Sequence, residues 1–304
     1  MSTTLNPDPT VIGGVPKAPL AFLPDPARMF ATRAARFGFL AEAGSNLAPY
    51  LRFLAALAGL QADLAAEMPP AAPLPRDRID LARASRMPPI DRAALATDPD
   101  LHATLDRFCA AAAALDMPEQ ARLALKAIAE ADLSDRHWLL DNILSDQIPD
   151  DAVAPHLFVG AAVQLHMARL AATLDADLLV PIRTGVCPSC GGRPATSSVM
   201  GAQGIESVRY ASCNCCATRW NEVRIKCLCC GQNGKISYRS VETTEATVKA
   251  EICGDCNSWV KILYQVQNPS LDPVADDVFS LGLDLLMKDT PYHRGGFDPY
   301  LAGY

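Results

Sequence analysis

Positive charge is in deficit in this chain: 27 Lys and Arg stand against 34 Asp and Glu, a net charge of −7 over 304 residues. That balance disfavours a dedicated nucleic-acid binder, which carries a basic surplus. Aromatic residues are scarce as well, at 6%. Long hydrophobic runs are missing, and a stretch such as Leu157 to Val163 is far too short to span a bilayer. The opening residues, Met1 to Pro9, have neither the basic nor the apolar stretch of a signal peptide, so a cytoplasmic location is expected. His102, His137, His156, His166 and His293 have no metal-ligand spacing, and structural or surface roles are expected for them. Nucleophile elbow, P-loop and dinucleotide fingerprint are all missing. Asp276 and Asp277 are adjacent on a helix, so they do not share a face as a catalytic pair would.

What the chain has is Ala and Leu in its first two thirds and cysteine thereafter. Residues 1–24 are Pro-rich and aperiodic and read as a loose arm. Asp25-Pro26 is a capping Asp followed by Pro at the first helical position. Helical spacing then runs to about residue 43 and again over 47–67, with further helices expected at 99–115, 118–131, 134–147 and 152–176. Six prolines between 68 and 90 predict a long loop there. Short connections make 25–181 an all-α helical domain. From Pro181 the texture changes, and alternation at 207–210, 220–225, 246–252 and 259–264 predicts short strands. Helical spacing returns at Asp272-Pro273, with Val274, Val278, Leu281 and Leu285 on one face.

Ten of the 11 cysteines fall between Cys187 and Cys256. An odd total clustered in C-x-x-C pairs is not a disulfide framework; in a reducing compartment it means metal or redox chemistry. The eleventh, Cys109, sits in a helical pattern and reads as a buried core thiol. Shifting the sequence by 40 residues superimposes Cys187 on Cys227, Cys190 on Cys230, Cys213 on Cys253 and Cys216 on Cys256. Gly191 falls on Gly231, Val208 on Val248 and Arg209 on Lys249. Cys215 and Cys229 have no counterparts, so the repeat selects eight cysteines from ten. Cys215 and Cys229 are either reactive thiols beside a metal site or spare cysteines.

The spacing has a physical reason. A C-x-x-C knuckle aims two thiolates at one ion, and two knuckles make a closed tetrahedral site. The 22 residues between knuckles accommodate a returning hairpin, as in a zinc ribbon or rubredoxin. Two ions are therefore expected, iron or zinc, since four-sulfur ligation suits both. Units of about forty residues have little core, so the ions must supply much of the stability. Thioredoxin-type dithiols would need a βαβ context, which is missing. From Thr184 to Tyr264 nine Lys and Arg exceed six Asp and Glu by three, and eight thiolates with two divalent ions bring the sum to about −1. Trp220 and Trp259 each follow the second knuckle of a unit, as packing for a small core or as partner anchors.

The expected class is therefore α+β. A helical domain (25–181) is followed by two tandem rubredoxin-like or zinc-ribbon β modules (182–226 and 227–267) and a C-terminal helix with its tail (268–304).

Several stretches resemble the FdhE family of formate dehydrogenase accessory proteins. They are Cys187-Pro188-Ser189-Cys190-Gly191, Arg209-Tyr210, Trp220, Val223 to Cys227, Val248 to Cys256, Val260 to Gln265 and the Asp272-to-Leu281 helix. Tyr50-Leu51-Arg52-Phe53 and the Asp25-Pro26 helix are consistent with it. The resemblance implies a cytoplasmic helper, not itself an enzyme. It implies rubredoxin-type metal binding and contact with the molybdenum- or tungsten-containing formate dehydrogenase catalytic subunit during maturation. A rubredoxin-like electron carrier and a nucleic-acid-binding zinc ribbon are the alternatives. A helical domain of this size is unnecessary for the first, and the charge balance weakens the second.

Overall fold

The computed structural model describes residues 18–202, 204–241 and 246–303, so most of the expected arm lies outside the described residues. A short strand, β1 (Ala21–Phe22), leads into helix α1 (Pro26–Ala41). Helices α2 (Ala48–Glu67), α3 (Arg76–Ser85), α4 (Arg92–Leu95), α5 (Pro99–Ala112), α6 (Glu119–Glu130), α7 (Leu133–Leu144) and α8 (Val153–Ala171) follow. The starts are chemically marked. Asp25 accepts a hydrogen bond from the Arg28 amide, Asp98 from those of Asp100 and Leu101, and Asp132 from that of Asp135.

Helix α8 is the axis of the bundle. It packs against α2, α5, α6 and α7, and its residues from Phe158 to Ala168 are buried on every side. A helix apolar all round belongs inside a protein, which is why α8 is not amphipathic. Its polar exceptions are all used. Gln164 donates to the Asn214 carbonyl at 2.9 Å and accepts from the Tyr300 hydroxyl at 3.0 Å, and His166 meets Thr104 at 3.1 Å. The 68–90 segment, expected as a loop, contains α3. The prolines flank this helix without entering it. Its charged sequence buries only Ala82, so it carries no apolar period to read.

The second half is built on one sheet. Strands β2 (Pro194–Val199), β3 (Arg209–Cys213), β4 (Arg219–Glu222), β5 (Ile236–Arg239), β6 (Val248–Cys253) and β7 (Ser258–Tyr264) are followed by helices α9 (Ala275–Phe279) and α10 (Leu281–Lys288) and by β8 (His293–Arg294). The strand order is β1-β4-β3-β2-β7-β6-β5, with β8 against β7. Each ribbon is an antiparallel triplet, and the 40-residue shift carries β3 onto β6 and β4 onto β7. The triplets join head to tail through a parallel pairing of β2 with β7, at Ser197↔Ile262 and Val199↔Tyr264. The two four-cysteine units thus share a continuous sheet. At one edge β1 pairs Ala21 with Trp220, so part of the sequence read as an arm closes the sheet.

Arg209 fixes the junction of the ribbons. Its side chain is fully buried on β3 and pairs with Glu251 of β6 at 2.7 Å. It also donates to the Ser197 hydroxyl of β2 and to the Arg224 and Lys226 carbonyls. Arg209→Ala leaves Glu251 buried without its counter-charge. We expect it to cost about 3–5 kcal/mol, read as a lowered denaturant midpoint. Arg209→Met with Glu251→Leu should recover much of this, and a single-variant loss below about 1 kcal/mol would contradict the assignment.

Candidate metal centres

The fold brings the eight repeat-selected cysteines into two clusters. Cys187, Cys190, Cys213 and Cys216 form one, and Cys227, Cys230, Cys253 and Cys256 the other, with all Sγ atoms of a cluster within 4.8 Å of one another. The local folding is the same at both. The Cys187 amide donates to the Gly192 carbonyl at 3.0 Å and the Cys227 amide to that of Gln232 at 2.8 Å. Each first knuckle turns on a left-handed glycine, Gly191 at φ 75° and Gly231 at φ 78°. The second knuckles turn on left-handed Ala217 at 59° and Asn257 at 54°. Glycine takes this conformation without strain, and Asn tolerates it better than Ala. The repeat is therefore one of backbone conformation as well as of cysteines.

The sulfur geometry is that of a tetrahedral ion site. A metal–sulfur bond of about 2.3 Å puts the corners of a regular tetrahedron about 3.8 Å apart. Cys187 and Cys216 are 3.6 Å apart, Cys190 and Cys213 3.5 Å, and both corresponding pairs of the second cluster 3.7 Å. A disulfide needs about 2.0 Å, and all the cysteines are free. Backbone amides turn toward the sulfurs: Cys215 and Cys216 toward Cys213 Sγ, and Cys229 toward Cys227 Sγ. Hydroxyls repeat too, with Thr218 at 3.2 Å from Cys216 Sγ and Ser258 at 3.3 Å from Cys256 Sγ. The donor set fits a soft or borderline ion such as zinc or iron, and four sulfurs close the tetrahedron. Among the described residues no other group of His, Cys, Asp or Glu is placed to hold an ion.

The two clusters differ in their surroundings, which sequence reasoning missed. The first is buried at all four cysteines and belongs to the same hydrophobic core as the helical bundle. Asp146, two residues past α7, receives Arg92 at 2.6 Å, Arg193, and the side chain of Asn214 from within the second knuckle. The Ile90 amide donates to the Ser189 carbonyl in the first knuckle. The second cluster has Cys230 exposed and Cys256 half-exposed; none of its cysteines joins the large core, although Leu228 of its first knuckle does, and Ala250, Ile252 and Trp259 of its ribbon form a separate small core with Leu283 and Met287 of α10. We expect a chromophoric chelator to remove metal in two phases, the second cluster first. Cys230→Ser should eliminate the fast phase, and a single phase covering both ions would contradict the asymmetry.

The remaining candidates resolve by burial. Trp220 and Trp259 are both buried, and Trp220 donates to Glu222, so both pack cores. Cys109 is buried, and burial pushes its thiol up to about 12, the state of an inert core group. Cys215 is buried beside Arg92, whereas Cys229 is exposed. Asp276 and Asp277 face apart, toward Arg36 and toward Lys261.

Comparison with known proteins gives one family throughout. Models of the FdhE N-terminal, central and C-terminal domains match residues 18–184, 186–224 and 225–301. A protein FdhE homolog from Rhizobium meliloti is 57% identical over 302 residues, 99% of this chain and 98% of that protein. Another, from Proteus mirabilis, is 32% identical over 93% of this chain and 91% of its own length. The crystal structure of the FdhE protein from Pseudomonas aeruginosa superimposes with a TM-score of 0.84 at 31% identity, covering 94% of this chain and 99% of that one.

Proposed function

This chain belongs to the FdhE family, and we propose that it is a cytoplasmic accessory protein that binds the formate dehydrogenase catalytic subunit during maturation and has no turnover of its own. In this reading Cys187, Cys190, Cys213 and Cys216 hold one metal ion, and Cys227, Cys230, Cys253 and Cys256 another, each iron or zinc. The helical unit is 25–181, the ribbons are 182–226 and 227–267, and 268–304 braces them.

The observation that carries the reading is the closure of both clusters by four cysteines. A closed four-thiolate site leaves no position for substrate or activated water, so the ions would serve folding and surface shape. Contact with the client would be transient, since a helper must release it, with a total buried area at or below about 1,200 Å². Deleting the gene should abolish formate oxidation while the dehydrogenase polypeptide persists, and affinity capture after crosslinking should retrieve the catalytic subunit. Normal formate oxidation in a deletion strain holding no second copy would overturn the reading.

A rubredoxin-like electron carrier is the second reading, favoured by the exposure of Cys230. It requires iron bands in the visible spectrum that bleach and return with reduction and oxidation. A colourless zinc protein would end it.

A further inference from the structure

A cavity of about 650 Å³ lies between α1, the start of β4 and the 265–274 segment, with Cys213 of the first cluster in its wall. Four arginines line it, Arg28, Arg33, Arg36 and Arg219, against two carboxylates, Asp25 and Asp272. This concentration of cations is unusual in a chain of net charge −7.

The arginines are not equally committed. Arg36 is fully engaged, with a two-pronged contact to Asp276 and a bond to the Ser270 hydroxyl. Arg33, whose side chain is 5% exposed, places Nε on Asp272 at 3.2 Å. Its terminal nitrogens have no hydrogen-bond partner among the described residues. Among the described residues Arg28 pairs only with Asp25, at the solvent edge. Arg219 is half-buried, and no acceptor or ion-pair partner lies within reach of it among the described residues. Its surroundings disfavour its charge: burial lowers its pKa, Asp272 offsets part of that, and the charges of Arg33 and Arg28 lower it further. A guanidinium held beside two others with no anion of its own is an unsatisfied arrangement. Phosphate matches it, because planar guanidinium forks engage phosphate oxygens two at a time. Phe22, Met29 and Phe39 add apolar wall beside the charges, and the volume falls in the range of small-molecule sites.

We propose that this cavity binds a small phosphorylated anion, a diphosphate or a diphosphate ester, through Arg219, Arg33 and Arg28. This is a binding site separate from the two sulfur clusters and independent of the client proposed above. An acidic peptide segment fits less well, because it would need an open groove and would leave the paired fork geometry unused.

Calorimetry on the full-length, metal-loaded chain, at fixed ionic strength, tests this with two probes. Inorganic pyrophosphate reads the anion subsite alone, and adenosine diphosphate reads the anion together with the apolar wall. At least one should bind with a submillimolar dissociation constant, and the tighter of the two identifies which source of diphosphate the cavity suits. Arg219→Gln should weaken binding by about tenfold or more, since a charge-assisted hydrogen bond is lost. Because Arg219 has no partner to abandon among the described residues, the variant should keep its metal content and melt no lower than the parent. Four outcomes would overturn the proposal: no binding of either probe at millimolar concentration, equal affinity in parent and variant, a destabilised variant, or binding of an acidic peptide but of neither phosphate.

Discussion

Replacing Cys190 by Ser should remove the metal from the first cluster and unfold the surrounding ribbon, the largest effect expected of any single substitution here. Structural zinc sites contribute apparent binding energies of about 10–16 kcal/mol, comparable to the whole stability of a domain. The loss would not stay local. Cys190 belongs to the core that also holds the helical bundle. Both knuckles of the first cluster are tied to the bundle, by Asn214 on Asp146, by Gln164 on the Asn214 carbonyl, and by Ile90 on Ser189. Metal analysis should find no more than one ion per chain, and near-ultraviolet dichroism should show loss of tertiary packing in the helical half as well. Cys230→Ser should also leave one ion, but with less damage to the bundle, since none of the second cluster's cysteines belongs to the large core and only Leu228 of its knuckles does. Cys215→Ser and Cys229→Ser should retain two ions. Equal losses in all four variants would show that the wrong eight cysteines have been assigned.

The contrast between those variants marks where sequence reading reaches its limit. The eight cysteines were legible because ligand convergence is local: each knuckle spans four residues, and a hairpin brings two knuckles together. The helices with apolar periods, α1, α2 and α5 to α7, were legible because burial leaves a pattern of about 3.6 residues, and α8 was legible as a long, almost uncharged run. Helix α3 has almost no buried face and so left none. Strand β2 was missed for the opposite reason. Its residues Pro194 to Val199 are buried on both faces, largely small and hydroxylated, so no alternation appears. The parallel pairing of β2 with β7 joins positions 65 residues apart, such as Ser197 and Ile262, and nothing local encodes it. Without that pairing the unequal burial of the clusters could not be inferred, although the cysteines themselves could. The arginine cavity was hidden likewise, since Arg33, Arg219 and Asp272 converge only in three dimensions.

Long-range assembly also produces the strongest polar dependence of the C-terminal region. Lys261 on β7 is wholly buried and contacts Asp277 of α9 at 3.0 Å and Asp284 of α10 at 2.5 Å. Arg294 of β8 pairs with the same two carboxylates. Two cations and two anions balance, but a fifth group, Asp298, is buried nearby. Its Oδ1 accepts from the Tyr300 amide at 2.9 Å, and its Oδ2 has no hydrogen-bond partner among the described residues. Burial, with Asp277 adding repulsion, pushes this carboxyl up to about 8, so the cluster is neutral only while Asp298 keeps its proton. Lys261→Met leaves Asp284 and Asp277 sharing one arginine, and should cost about 3–5 kcal/mol.

The pH dependence then has a definite sign. In the unfolded chain Asp298 loses its proton near the ordinary value of about 4, whereas in the fold it keeps it to about 8. Between those values the folded state binds more protons than the unfolded one, so this group makes stability fall as pH rises, by up to about 1.4 kcal/mol per pH unit. Asp276 and Glu251, also raised by burial, act in the same direction. His156 and His166, lowered by burial, act oppositely on the acid side of about 6.5. The comparison that isolates Asp298 is therefore parent against Asp298→Asn, in which the other groups cancel. The amide keeps an acceptor for Tyr300 and cannot ionise. The two proteins should melt most nearly together at about pH 4, where Asp298 keeps its proton in both states, and the variant should melt progressively higher by pH 8. Parallel melting curves across that range would mean that Asp298 is ionised in the fold and that the charge cluster carries a net negative charge.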